Sequence, residues 1–156
     1  MSETKKLLIV AHAPSDNTRR LRDAALAGAR HEDIAGIAVE AKSPFDTVPD
    51  DVLRTDAILL GTTENLGYMS GALKHFFDTI YYPCLDATAR RPYACYVHGN
   101  NDTAGAVRSI EAATTGLRWV LAQSPLEIVG PPTKADLDSA WELGAALTAR
   151  LTLDPP

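Results

Sequence analysis

The chain has 156 residues, 46% hydrophobic and 22% charged, which fits one globular domain whose core needs neither disulfides nor a structural metal. A formal net charge of −5, with Arg19-Arg20 and Arg90-Arg91 as isolated, solvated pairs and not a binding stripe, argues against the basic face of a nucleic-acid binder. No stretch reaches the roughly 18 apolar residues of a membrane span and the polar opening Met1 to Lys6 lacks a signal peptide's apolar segment, so the expectation is a soluble cytoplasmic protein without membrane insertion.

Short apolar runs alternate with longer helical patterns. Leu7 to Ala11 reads as a first buried strand, and Asp16, Asn17 and Thr18 supply cap-type residues for a helix through about Arg30. Ile34 to Glu40 reads as a second strand, followed by Pro-punctuated turns at Ser43-Pro44-Phe45 and Val48-Pro49-Asp50 and a short helix around Asp51 to Thr55. Ala57 to Leu60 is the third strand, stopped by Gly61. Ser70 caps the next helix, whose Leu73, Phe76, Phe77 and Ile80 share one face. Tyr93 to Val97 is the fourth strand, and a helix with Val107, Ile110, Thr114 and Leu117 on one side is predicted from about Thr103 to Leu121. Leu126 to Val129 is the fifth strand, ended by Gly130-Pro131-Pro132. Thr133 and Asp136 make a capping-box pair for a last helix to about Leu151.

Continuous apolar strands joined by helices predict a parallel sheet covered on both faces, a three-layer α/β/α sandwich over residues 1–156. Right-handed crossovers make 2-1-3-4-5 the leading strand order. Ligands of such sheets bind outside the carboxyl ends of the strands, at the switch between strands 1 and 3. Three segments end there. After strand 1, Ser15 and Thr18 offer hydroxyls, Asn17 an amide, and the helix its free N–H groups, which suit a dianionic phosphate. Asp16 fits beside a phosphate only if its carboxylate turns outward. After strand 3, Thr62-Thr63-Glu64-Asn65-Leu66-Gly67-Tyr68-Met69-Ser70-Gly71 combines permissive glycines with the apolar surface of Tyr68 and Met69 for a flat ring and with Asn65 for its polar edge. After strand 4, His98-Gly99-Asn100-Asn101-Asp102-Thr103-Ala104-Gly105 is dense in donors.

The first segment, Ser15-x-Asn17-Thr18, resembles the flavodoxin phosphate loop Ser/Thr-x-Thr-Gly-Asn-Thr, with Ala13, Pro14 and Asp16 departing from it. The stretch from Gly61 to Asp78, with Gly67, Met69, Gly71, Leu73-Lys74 and Asp78, resembles the Pro-Glu-x-x-Gly-x-x-x-Gly-x-Leu-Lys-x-x-x-Asp pattern of NAD(P)H-dependent FMN reductases, Thr63 replacing the Pro. The resemblance implies a flavodoxin-like fold holding one FMN, with its phosphate at Ser15, Asn17 and Thr18 and its ring between the second and third loops. Cofactor-binding positions are then His12, Ser15, Asn17, Thr18, Thr62, Thr63, Glu64, Asn65, Gly67, Tyr68, Met69, His98, Gly99, Asn100, Asp102 and Gly105.

Tyr68 is available to cover one face of such a ring, and the third loop has no aromatic residue. An open ring face favours an oxidoreductase taking electrons from NAD(P)H to a flavin or quinone. A flavodoxin-type electron carrier is the alternative. Because the flavin carries the chemistry, no acid/base triad and no metal are expected. His12 and His98 end strands, where each either relays protons or bonds the backbone. Related reductases are commonly dimers or tetramers, and Tyr81-Tyr82-Pro83 either packs an oligomer interface or closes the core. A phosphorylation-switched receiver domain is excluded, because Ala11-His12-Ala13, Gly61-Thr62-Thr63 and Gly130-Pro131-Pro132 stand where its acidic pair, Asp and Lys are needed. Cys84 and Cys95 are either reduced buried thiols or a disulfide.

Overall fold

A computed structural model describes residues 4–153. The elements run β1 (Lys5–Ala11), α1 (Asp16–Ala29), β2 (Ile37–Lys42), a 3-10 turn (Pro44–Asp46), α2 (Pro49–Leu53), β3 (Ala57–Asn65), β4 (Tyr68–Met69), α3 (Gly71–Cys84), β5 (Pro92–Gly99), α4 (Ala104–Leu117), β6 (Val120–Leu121), β7 (Leu126–Val129) and α5 (Lys134–Leu153). The sheet order is β2-β1-β3-β5, with β6 and β7 together forming the row beyond β5. These pairs are all parallel, and among the described residues only β4 runs antiparallel, against β3. The expected sandwich and order 2-1-3-4-5 therefore hold, the fourth expected strand being β5 and the fifth being split.

The strands read as continuous apolar runs because successive side chains enter two different cores. Leu7, Ile9, Ala57, Leu59, Ala94 and Tyr96 face α1 and α5, while Leu8, Val10, Ile58, Leu60, Tyr93, Cys95 and Val97 face α3 and α4. Gly28 and Gly144 let α1 and α5 touch backbone to backbone, since a Cβ at either would meet the main chain of Trp141 or Ala25. The Thr133–Asp136 capping box at α5 forms as expected, with Thr133 N donating to Asp136 Oδ2 (2.9 Å) and Asp136 N to Thr133 Oγ1 (3.2 Å).

Four expectations are corrected. Gly61 does not stop the third strand, which runs on to Asn65 and turns back through Leu66-Gly67 into β4. The helix predicted to Leu121 ends at Leu117, because Arg118 adopts the left-handed conformation (φ 60°) and its amide closes on Thr114 and Thr115. Trp119 then enters the core and Val120-Leu121 pair with β5. Between β6 and β7 the register against β5 slips by two residues, which splits the edge strand. Arg91 is not solvated: its guanidinium donates to the carbonyls of Val52 (2.9 Å) and Thr55, closing the end of α2.

Gly61 and Tyr96 form an unusual contact. They pair across β3 and β5, and the Tyr96 ring lies where a Cβ of Gly61 would be. The ring is fully buried, and its hydroxyl has no partner among the described residues. Burial pushes the phenol pKa well up, so the group stays neutral. Both cysteines are free and buried, and burial pushes the Cys95 thiol up to about 12.

Tyr96→Phe should therefore raise stability by about 1 kcal/mol, because it deletes an unpaired polar atom without leaving a cavity. Gly61→Ala should lower it by roughly 1–3 kcal/mol through overpacking. Urea unfolding of the three proteins checks both signs. A thiol-specific dye at neutral pH should label neither cysteine until the chain is unfolded.

Candidate functional site

The carboxyl ends of β1, β3 and β5 bring the three expected segments to one edge of the sheet. His12 N donates to Gly61 O (2.9 Å), which ties the first segment to the second. The His12 side chain is half-buried, and desolvation lowers its pKa, which keeps the ring neutral.

Ser15, rather than Asp16 to Thr18, is the N-cap of α1. Thr18 N donates to Ser15 Oγ (3.2 Å), Ser15 N donates to Thr18 Oγ1 (3.0 Å), and the two hydroxyls lie 2.9 Å apart. Among the described residues the amides of Asp16 and Asn17 donate to no protein acceptor. The Asp16 carboxylate turns out to Arg19, which removes the obstacle it posed to a phosphate. The Thr18 hydroxyl spends its proton on Ser15 O (3.0 Å), so orphan amides, the exposed Ser15 hydroxyl and the positive end of α1 converge without a carboxylate between them, and that donor set fits a dianion.

The second wall is a β-hairpin. Leu66 (φ 55°) and Gly67 (φ 79°) form its two-residue turn, both in the left-handed region that such turns require. The Thr62 hydroxyl, fully buried, donates to Thr63 O (2.9 Å) and accepts from Ser70 N (3.0 Å), so it joins the strand to the α3 N-cap. Ser70 Oγ in turn accepts from Leu73 N (3.1 Å), as the sequence predicts for a cap. Met69 lies in the core at 2% exposure, and Tyr68, 42% exposed, borders a crevice with Lys74, Tyr81 and Tyr82 between α3 and α4. The flat apolar cover expected from Tyr68 and Met69 is thus not presented towards the third segment. The apolar group left fully exposed is Leu66, at the hairpin tip. Thr63, Glu64, Asn65 and Gly67 remain accessible on the hairpin.

The third wall curls tightly. A Cβ on Gly99 would run into Asp102 O and approach Glu64, so the second and third segments touch there. Asp102 accepts from Ala104 N (3.1 Å) and Thr103 N (2.7 Å), and these bonds hold its carboxyl below the usual range. It thereby holds the N-cap residue Thr103 and the first residue of α4, while Thr103 Oγ1 donates to Glu127 (2.9 Å). His98 is buried, and its Nε2 donates to Gly130 O (2.8 Å), the backbone bond expected of a histidine at a strand end. Gly105 lies beneath the hairpin turn, where a Cβ would strike the Gly67 backbone. Asn100 and Asn101 are exposed.

Thr62, Met69, His98 and Gly105 therefore build the walls, and Ser15, Asn17, Thr63, Glu64, Asn65, Gly67 and Asn100 are presented at the edge, with Thr18 buried behind Ser15. Ser109 was absent from the expected set. Its hydroxyl accepts from Met69 N (3.0 Å) and donates to Ala106 O (2.9 Å), pinning the hairpin to α4. The available signal was a small polar residue on a helix stripe otherwise formed by Ala106, Ile110 and Ala113.

Ser109→Ala should cost about 1–3 kcal/mol by orphaning the buried Met69 amide. Native-state hydrogen exchange should speed up at Met69 and its hairpin neighbours, and an unchanged Met69 rate would show that the pin is immaterial.

No family model matches the chain. A flavodoxin of Aquifex aeolicus (strain VF5) is 29% identical over 75 residues, 48% of this chain, so the match spans 40% of that protein's length. Among solved structures, a flavodoxin from the domain Archaea superposes with a TM-score of 0.81 at 20% identity, over 94% of this chain and 99% of that one. A flavodoxin, WrbA-like protein from Agrobacterium tumefaciens gives 0.75 at 16% identity, over 95% and 98%.

Proposed function

This chain has a flavodoxin-like fold, and we propose that its carboxyl edge holds one FMN and serves to reduce flavin- or quinone-type acceptors with NAD(P)H. The phosphate would be held by Ser15, Asn17 and the orphan amides of α1, with Thr18 behind them fixing Ser15 in place. The ring would lie between the hairpin residues Thr63, Glu64, Asn65 and Gly67 and the turn Gly99, Asn100 and Asp102, with their backbone N–H groups serving its polar edge. Bound there, FMN supplies hydride acceptance and onward electron delivery.

The observation that carries the reductase reading is the lack of aromatic cover. Met69 is committed to the core, Tyr68 borders the α3–α4 crevice, and the third segment has no aromatic residue. An unshielded ring leaves room for a nicotinamide or quinone at contact distance. The protein's own contribution is to bind, orient and exclude water. Desolvation lowers the pKa of His12, at the end of β1, so it adds no charge beside the site at neutral pH, and no side chain is required as an acid or base. On this reading the chain works in the cytoplasm, and as a homodimer or tetramer.

A flavodoxin-type electron carrier is the second reading. Leu66 favours it, because a fully exposed apolar tip beside the site suits docking of a protein partner.

Titration with FMN, followed by quenching of flavin fluorescence, should saturate at one equivalent. Asn17→Ala, which leaves the α1 cap bonds intact, should weaken binding about tenfold. Absence of saturable binding would overturn the flavin reading. Steady oxidation of NADH or NADPH by the loaded protein with a quinone acceptor separates the two functions, since a carrier turns over neither.

A further inference from the structure

A crevice of about 490 Å³ opens at the carboxyl ends of β1 and β2, beside the phosphate segment but on its far side from β3. Its walls include His12, Pro14, Arg22, Lys42, Ser43 and Phe45, and neither the fold nor the proposed flavin contacts use it apart from the shared His12. The volume falls within the range of roughly 300–1,000 Å³ typical of small-molecule sites.

Its chemistry is specific. Phe45 is 62% exposed yet held in place: its amide donates to Ser43 Oγ (3.2 Å), and its ring packs on His75 at 5.4 Å. An aromatic ring fixed in solvent at a pocket mouth is a stacking platform for a flat heterocycle. Arg22 is ion-paired through Nε with Asp23 (3.0 Å), whose carboxylate also lines the crevice, and its terminal nitrogens donate to no protein acceptor among the described residues. They form a fork suited to a phosphate. Lys42 is already paired with Asp51 (2.9 Å) and so shapes the wall without supplying free charge. One stacking ring and one guanidinium whose terminal nitrogens are unspent match a nucleobase carrying a phosphate better than they match a lipid or a bare anion.

We propose that this crevice binds the adenosine phosphate end of the pyridine nucleotide, a deepening that rests on the reductase reading. Neighbouring strands lie about 4.8 Å apart, so the β1–β2 crevice and the ring walls at β3 and β5 are separated by roughly 10 Å, a span an extended dinucleotide bridges. The crevice then acts as the anchor, and the nicotinamide end reaches the open side of the flavin.

The test uses fragments that cannot react. Adenosine monophosphate and adenosine 2′,5′-bisphosphate are titrated into the purified chain, with and without FMN, while backbone amide shifts are followed by NMR. At least one nucleotide should bind saturably and shift Ala13, Ala41 and Ser43. Phe45→Ala and Arg22→Gln should each weaken it about tenfold, with unfolding midpoint and FMN affinity unchanged. In turnover the same variants should raise KM for the nucleotide and leave kcat nearly constant. Absence of saturable binding by both nucleotides, or equal affinity in both variants, overturns the proposal even if NAD(P)H turnover is present. Fragment binding that follows these variants, in a protein without turnover, upholds the site and defeats the reductase reading alone.

Discussion

A single buried hydroxyl governs the carboxyl edge of this sheet. Thr62 Oγ1 sits one residue beyond the last row shared by β1, β3 and β5, Ala11–Gly61–Tyr96, and spans from its own strand to the N-cap of α3. Without it the amide of Ser70 would be buried without an acceptor, an expensive condition in an apolar layer. Because the bond exists, the chain can leave the sheet, turn back over Leu66-Gly67 and still begin α3 at a defined place. The hairpin's second support is Ser109, and its third is the bare backbone contact with Gly105. Side chains that are merely small or singly polar thus set the position of one entire wall.

The opposite face of the same strands solves another problem. Tyr96 is too large for its row unless its neighbour lacks a side chain, and Gly61 provides that space. The ring then fills the layer below α1 close to where the phosphate donors converge, and His12 reaches over to the Gly61 carbonyl. Rigidity beneath the α1 N-terminus and openness above it therefore come from one residue pair. A binding edge built this way depends little on side-chain rearrangement, since its donors are mainly backbone groups already held by strand ends and caps.

Much of the fold was legible because parallel strands buried on both faces announce themselves as unbroken runs such as Leu7 to Val10 and Ala57 to Leu60. The caps at Ser70 and Thr133 were also readable, because each needs one short-range bond between residues close in sequence. What escaped notice was non-local. Gly61 looks like a terminator in one dimension, and only its Tyr96 neighbour, thirty-five positions away, reveals it as a mid-strand residue. Arg118 ends α4 through a backbone conformation that its identity does not advertise. In the site, the sequence located the three segments but assigned side chains by type. Met69 offers apolar surface and His98 a titratable ring, yet packing turned Met69 inward and the Gly130 carbonyl claimed His98. Residue type predicted what a group is able to do, and the layer it faced decided whether it was free to do it.

The interruption between β6 and β7 has a consequence for the chain's life in a crowded solution. Open sheets present a final strand whose unpaired amides and carbonyls invite another strand to join. Here that row is broken into pieces of two and four residues, offset by two positions, with Pro125 at the join. Exposed Val120, Leu121 and Val129 give the row the composition of an adhesive edge. The break denies it the length and straightness that templated stacking requires, so the molecule carries a sticky border cut too short to nucleate a fibre.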